Sequence, residues 1–354
     1  MNNETFVQNN KLPVTDSGLI AVYESNMVWN GVTTTSDGRV FVCFPHLESN
    51  AGIKIGEILS NGTVVPFPNE QWNSWKVSED PTEKFVRTNS LRIGPDGNLW
   101  IVDTGCPTFG SAPIKGGAKL VVVDIKKNEI SRIISCDDFI KKNSAIDDLR
   151  IGKSFIYVTD AGEPSLIVID LKTGKGRRVL ENQISTTDSR PMYAEGKVMM
   201  EQGDKEFRLH ADQLELSPDE KFLYFQPASG PMFRIETKFL NDPALTAINL
   251  SAKAVLWSCT PTTGGTAMDL DENIYVSDVD HLQILKITPE GKSSILIKDD
   301  RLTWIDALWI DGEGYLWMPE AQLNRTAPFQ NGISRVVFPV HIYKLKIDVK
   351  QIKY

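Results

Sequence analysis

Five oxygen-bearing side chains fall at equivalent places in a sequence that repeats itself: Asn30, Asn89, Asp147, Asp212 and Asp306, with Gly264 at a sixth equivalent place. Carboxylates crowded together repel, and each raises the pKa of the next unless a cation neutralises them. Hard cations such as calcium take six to eight oxygen ligands from Asp, Asn, carbonyls and water. The set therefore reads as a divalent metal site formed by Asn30, Asp147, Asp212 and Asp306. Calcium suits a ring with no His or Cys, and magnesium, manganese and zinc are the alternatives. A purely structural reading also exists: Asp and Asn at strand starts can satisfy backbone donors or hold channel water.

The equivalence comes from a short phrase of strand, Asp-Gly-type turn and second strand, seen plainly in Leu91-Arg92-Ile93-Gly94-Pro95-Asp96-Gly97-Asn98-Leu99-Trp100. Its turn residues, Gly38, Gly97, Ser154, Glu220, Glu272 and Gly314, serve as a ruler. Eight positions before them lie the residues named above, the third copy lacking one turn residue so that Asp147 takes the place. Six positions after them lie Phe44, Asp103, Asp160, Gln226, Asp278 and Glu320. A repeat of roughly 40 to 60 residues built this way is the mark of a β-propeller. The expected fold is all-β, a single six-bladed propeller over residues 1–354 with four-stranded blades. The blades fall near 29–68, 89–134, 147–180, 212–240, 264–297 and 304–347.

A second hairpin follows each inner pair, as in Leu166-Ile167-Val168-Ile169-Asp170, which turns at Thr173-Gly174 into Arg178-Val179-Leu180. No fourth strand follows His341 to Ile347, while the strand-like run 18–23 precedes the first blade without a partner. This N-terminal strand is expected to complete the sixth blade and remove the open edges of the ring. In a propeller the first strand of each blade lines the channel, so the Asn/Asp set converges at one mouth. The long aperiodic loops (44–53, 69–88, 103–118, 181–211 and 319–335) gather on that same face, and grouped long loops are usually functional. His210 stands two residues before Asp212 and suits proton transfer. Trp304, two before Asp306, suits stacking on a ligand or wedging two blades. Asp103 and Glu320, ending second strands, are candidate substrate contacts or turn caps. Two stretches, Gln71-Trp72-Asn73-Ser74-Trp75-Lys76 and Met199-Met200-Glu201-Gln202-Gly203-Asp204, read as possible lids.

The formal net charge of −8 disfavours a nucleic-acid partner. No run of eighteen apolar residues offers a membrane span, and Met1-Asn2-Asn3-Glu4-Thr5-Phe6 lacks the basic and apolar regions of a signal peptide. The chain as it stands reads as cytoplasmic, or as secreted or periplasmic if a leader has been removed. Four widely spaced cysteines show no metal-type pattern. The expected partner is a small molecule; oligomeric state stays open.

Leu91 through Gly105, together with Leu120-Val121-Val122-Val123-Asp124 and Ile156-Tyr157-Val158-Thr159-Asp160-Ala161, resembles the yellow/major royal jelly protein family. That resemblance implies a six-bladed propeller and either melanin-pathway catalysis, small-amine binding or a hydrolase activity. A more distant resemblance is to the regucalcin/gluconolactonase-like propellers, which are metal-dependent lactonases. By repeat position, that family's metal Asp falls on Asp212 and its substrate Asn on Asn89, whereas its metal Glu falls on Asn30 and its metal Asn on Asp147. The exchange keeps oxygen ligands and moves one negative charge to another blade.

Three readings of function follow. The first is a metal-dependent hydrolase of a small ester or lactone, with the cation polarising the carbonyl and Asp212 or His210 moving the proton. The second is a non-catalytic binder of an amine or aromatic ligand; the third is an isomerase or cyclase of the yellow type. No Gly-x-Ser-x-Gly elbow competes, since Ala228-Ser229-Gly230 lacks the flanking pattern.

Overall fold

In the computed structural model, which describes residues 14–201 and 203–351, six four-stranded antiparallel sheets stand around a central channel. Blade 1 comprises Gly31–Thr34, Val40–Cys43, Ile55–Ile58 and Val64–Pro66. Blade 2 comprises Thr88–Ile93, Leu99–Thr104, Ala118–Asp124 and Glu129–Ser135, and blade 3 Ile146–Ile151, Phe155–Asp160, Ser165–Asp170 and Gly176–Val179. Blade 5 runs through Thr263–Met268, Ile274–Asp278, Gln283–Ile287 and Ser293–Lys298. The innermost strands of neighbouring blades pack on one another around the ring. The turn residues Gly38, Gly97, Glu220, Glu272 and Gly314 all have positive φ, between 60° and 88°, so the sequence ruler marks a shared left-handed turn conformation.

Blade 4 reaches beyond residue 240, where its pattern fades in the sequence. Its strands are Ala211–Leu216, Phe222–Pro227, Met232–Glu236 and Val255–Ser258, with short helices Thr237–Asn241 and Ala247–Ser251 inserted before the last. Blade 6 has an inner strand of only two residues, Trp309–Ile310, followed by Tyr315–Pro319 and Val340–Lys346. Its outer strand is Ile20–Ser25, paired antiparallel to Val340–Lys346. The N-terminal strand thus closes the ring, and Arg301 anchors its approach by donating to the carbonyls of Leu19 and Asp16. Flat sheets stacked through large side chains form the core: Phe41, Trp309, Trp317 and Leu91 belong to one cluster that joins blade 1 to both neighbours.

The segment expected as an aromatic lid at 71–76 is a packed structural loop. Trp72 and Trp75 are buried, Trp72 packs on Phe85 with ring centroids 5.0 Å apart, and Asn73 accepts from the amides of Lys54 and Ile55. In the second expected lid, Met200–Glu201 pairs with Lys205–Glu206 as a short hairpin; Gln202 lies outside the described residues, as does the expected absence of a leader in Met1 to Phe6.

Candidate functional site at the channel mouth

Most residues of the ring reach the channel where an inner strand bulges. In blade 3 Ile146 pairs with Asp160 and Leu149 with Val158, so Asp147 and Asp148 together face Thr159. Blade 4 repeats this at Asp212-Gln213, and blade 5 at Gly264-Gly265. Blade 2 carries Asn89 unpaired between Thr88 and Ser90. A bulge adds a residue, bends the strand and re-aims side chains. In blades 2 to 4 it turns Asn89, Asp147 and Asp212 toward the mouth, whereas Asn30 and Asp306 lie just before the inner strands of blades 1 and 6. Gly264 carries no side chain because a Cβ there would meet the Ile305 carbonyl of blade 6. The blades are tied at this level: the amide of Ala307 donates to the Asn30 carbonyl at 3.0 Å.

Asn30, Asn89, Asp147, Gly264, Asp212 and Asp306 line one small chamber. Asn30 donates through Nδ2 to the Asn89 carbonyl at 2.6 Å, and Asn89 Nδ2 donates to Asp147 Oδ1. Asn30 Oδ1 is buried and has no hydrogen-bond partner among the described residues. The Asp147 carboxyl is raised well above its usual range, first by burial, then by the charge of Asp212 and a hydrogen bond shared with it; Arg87 acts weakly in the opposite sense. Burial pushes Asp212 up to about 7, with Asp306 and Asp148 adding to the rise. Asp306 is likewise raised by burial and by Asp147. Three carboxyls thus face one space with a deficit of positive charge. The donor set is all oxygen, with one orphaned amide oxygen, and fits a hard cation. Among the described residues no group of three His, Cys, Asp or Glu forms a cluster of the kind that holds a metal by those side chains alone, so any cation here would rely on the amides as well.

Beneath the ring lies a charge-balanced plug. Arg150 holds Glu215 through two bonds of 3.0 and 2.6 Å and Asp148 at 2.7 Å. Arg92 approaches Asp148 from blade 2 at 3.5 Å, and Thr266 of blade 5 donates to Glu215. Burial alone would raise the Asp148 carboxyl, but Arg150 and Arg92 hold it at about 2. Blades 2, 3, 4 and 5 are cross-linked just under the site.

Above the ring, the chamber is walled by Arg87, Trp304, Phe109, Phe207 and Leu209. Trp304 has a left-handed backbone, φ 46°, a conformation that a bulky residue holds only where its surroundings impose it; its side chain bonds Asp306. Phe109, Phe207 and Phe329 meet as a cap, with ring centroids 4.7 to 6.1 Å apart. Outside the cap, a vestibule of about 660 Å³ opens to solvent between the long loops.

His210 lines this vestibule and not the inner chamber. Its Nδ1 accepts the Asp188 amide at 3.1 Å, and burial lowers its pKa, both of which favour the neutral ring. Asp103 is fully buried in its blade. It accepts from the amides of Val86, Arg87 and Gly105 and from Lys119 Nζ at 2.9 Å. Glu320 accepts from Gln322 and from the His341 amide. Neither lines the chamber; both shape the loops around it, because a carboxylate at a strand end meets the amides of the turning chain before anything else. Arg87 holds the place two before the ring that His210 and Trp304 hold in blades 4 and 6, but the six blades carry six different residues there (Val28, Arg87, Ala145, His210, Thr262 and Trp304), so nothing in the repeat singles it out.

A toroid of six four-stranded blades with polar side chains converging at one channel mouth defines the class: a six-bladed β-propeller. Residues 88–350 match the family model described as major royal jelly protein, and the chain belongs to that family. Among solved structures it is similar to a gluconolactonase from Xanthomonas campestris, at 12% identity over 92% of this chain and 89% of that one, TM-score 0.58. It is similar also to a calcium-binding protein, regucalcin, from Agrobacterium tumefaciens, at 13% identity over 94% and 95% of the two chains, TM-score 0.55. A virginiamycin B lyase from Staphylococcus aureus follows at 16% identity over 94% and 89%, TM-score 0.51. At such identities the likeness is one of fold. No curated protein matches the sequence.

Proposed function

We propose that the protein hydrolyses a small ester or lactone with the help of a divalent cation held at the channel mouth. The observation that carries this reading is the convergence of Asp147, Asp212, Asp306 and the orphaned Asn30 Oδ1 on one chamber. Asn30, Asp147, Asp212 and Asp306 would hold the cation, calcium before magnesium, manganese or zinc, and its charge would polarise the ester carbonyl and lower the pKa of water. With a cation held there, Asp212 would be ionised and could accept a proton from water. Asn89, fixed by its bond to Asp147, presents its amide to the substrate. The likeness in fold to a gluconolactonase and to a calcium-binding protein agrees with this reading. Arg87 in the same wall disfavours a cationic amine as the occupant.

The pH dependence of cation binding tests it. An aspartate in the unfolded chain titrates near 3.9, whereas Asp212 in the folded protein titrates near 7. Between these values the folded protein retains a proton that the unfolded chain has released. Without a cation, stability therefore falls as pH rises through this window. A cation competes for the oxygens that hold the proton. The thermal shift produced by millimolar calcium should be small at pH 5 and grow through pH 7. A shift that is absent, or flat across this range, would contradict the reading.

His210 gives a second check. If Asp212 moves the proton, His210→Gln leaves turnover within about threefold, whereas loss of a proton-transfer group lowers it by about 10²-fold or more. Steady-state rates on a chromogenic ester decide between the two.

A further inference from the structure

Arg87 is a buried cation with an unused face. It is 3% exposed, and its Nε has no hydrogen-bond partner among the described residues. Its Nη1 reaches the Pro45 carbonyl at 3.3 Å, its guanidinium also meets the weakly accepting Cys106 sulfur, and it lies 5.7 Å from the centre of the Phe109 ring. Among the described residues no carboxylate comes within ion-pair distance of it, although Lys119, Arg150, Arg178 and Arg301 all have such partners. A buried guanidinium left in this way is expensive, and a planar fork of donors matches a carboxylate. Arg87 lines both the inner chamber and the vestibule, so it stands at the boundary between them.

The chamber sets size and polarity. Its volume is about 70 Å³, room for roughly five to seven water-sized groups at ~10–15 Å³ each. That is one five- or six-membered ring lying over the oxygens. Above those oxygens, the wall is built of Pro45, Leu47, Phe109, Phe207, Leu209 and other apolar groups. Its polar members are Arg87, the Trp304 indole, which bonds Asp306, and Thr104, whose hydroxyl is spent on the Arg87 carbonyl at 3.0 Å. Nothing there would receive the hydroxyls of a sugar.

We infer that the ligand class of this site is a single-ring, sparsely hydroxylated molecule carrying a carboxylate: the ring sits under the Phe109–Phe207–Phe329 cap and the carboxylate sits on Arg87. The inference rests on the channel-mouth reading for its location and narrows the ester or lactone to an anionic one.

Calorimetric titration of the whole chain with benzoate, phenylacetate, benzyl alcohol and gluconate, each with calcium and with chelator, needs no turnover. The two aromatic carboxylates should bind at least about tenfold more tightly than benzyl alcohol or gluconate. Arg87→Met should remove that preference while leaving benzyl alcohol unchanged, and Arg87→Lys should keep part of it, the charge without the fork. Phe109→Ala should weaken benzoate and benzyl alcohol alike. Gluconate binding as tightly as benzoate would overturn the inference, as would benzoate affinity indifferent to Arg87→Met. Should Arg87→Met fail to fold, the Arg87→Lys comparison and the four-ligand ranking decide. Benzoate binding with no ester or lactone hydrolysed would sink hydrolysis and leave the ligand class standing. Hydrolysis of a polyhydroxylated lactone without benzoate binding would do the reverse.

Discussion

Replacing Asp212 with alanine is expected to abolish the calcium-induced thermal shift and to lower ester or lactone turnover by about 10³-fold, within the range for loss of an acid/base group. Two roles meet in this residue. Its carboxyl shares a hydrogen bond with Asp147 and faces the chamber that Asn30 and Asp306 also line. Its position in the blade 4 bulge leaves no neighbour to replace it, since the next residue, Gln213, is turned to Asp212 Oδ2 and the Thr263 carbonyl. Removing the carboxylate also removes like charge from Asp147 and Asp306, so the metal-free variant should be at least as heat-stable as the parent at pH 8. Loss of the calcium shift and of turnover with stability retained is the expected combination. Turnover that survives in Asp212→Ala would move the chemistry to another place on the molecule.

The largest effect on stability is expected beneath the ring. Arg150→Met removes the ionic partner of Glu215 and one partner of Asp148 in a region where the side chains of Arg150 and Glu215 are each 2% exposed. Breaking a buried ion pair by deleting one member costs about 3–5 kcal/mol, because the remaining charge is stranded. Urea unfolding should show a loss of this size, and the double replacement Arg150→Met with Glu215→Leu should recover part of it, since a well-packed apolar pair can match a buried ionic one. The calcium shift should weaken in the single variant, as Asp148 and Asp147 share one bulge. A loss under about 1 kcal/mol would place Arg150 among the weak, solvent-screened pairs and remove the plug as the support of the site.

The propeller was legible because its repeat is local. Each copy carries a strand, a turn and a strand within a dozen or so residues, and all the turn residues but Ser154 adopt one backbone conformation, whether glycine or, at Glu220 and Glu272, glutamate. Aligning the copies also brought Asn30, Asn89, Asp147, Asp212 and Asp306 to one chamber. The bulges that aim Asn89, Asp147 and Asp212 were not visible, since a bulge is a relation between two strands and leaves no mark in either alone. The outer strand of blade 4, Val255–Ser258, was hidden by the helices inserted before it. Asp103 and Glu320 looked like ligand contacts because their spacing repeats as regularly as that of the ring. The same regularity serves loop geometry, with Asp103 bound by three amides and Lys119. Arg87 and the three-phenylalanine cap come from single loops in single blades, so comparison of repeats passes over them; only their convergence in space marks them.

The most direct measurement is the metal content of protein purified without chelator, paired with calcium titration of the stripped chain. One divalent ion per chain, binding lost in Asp147→Ala and in Asp212→Ala, is the predicted result. A chain that carries no divalent ion and shows no calorimetric or thermal response to calcium, magnesium, manganese or zinc would contradict the account. The ring would then be a set of protonated, hydrogen-bonded side chains.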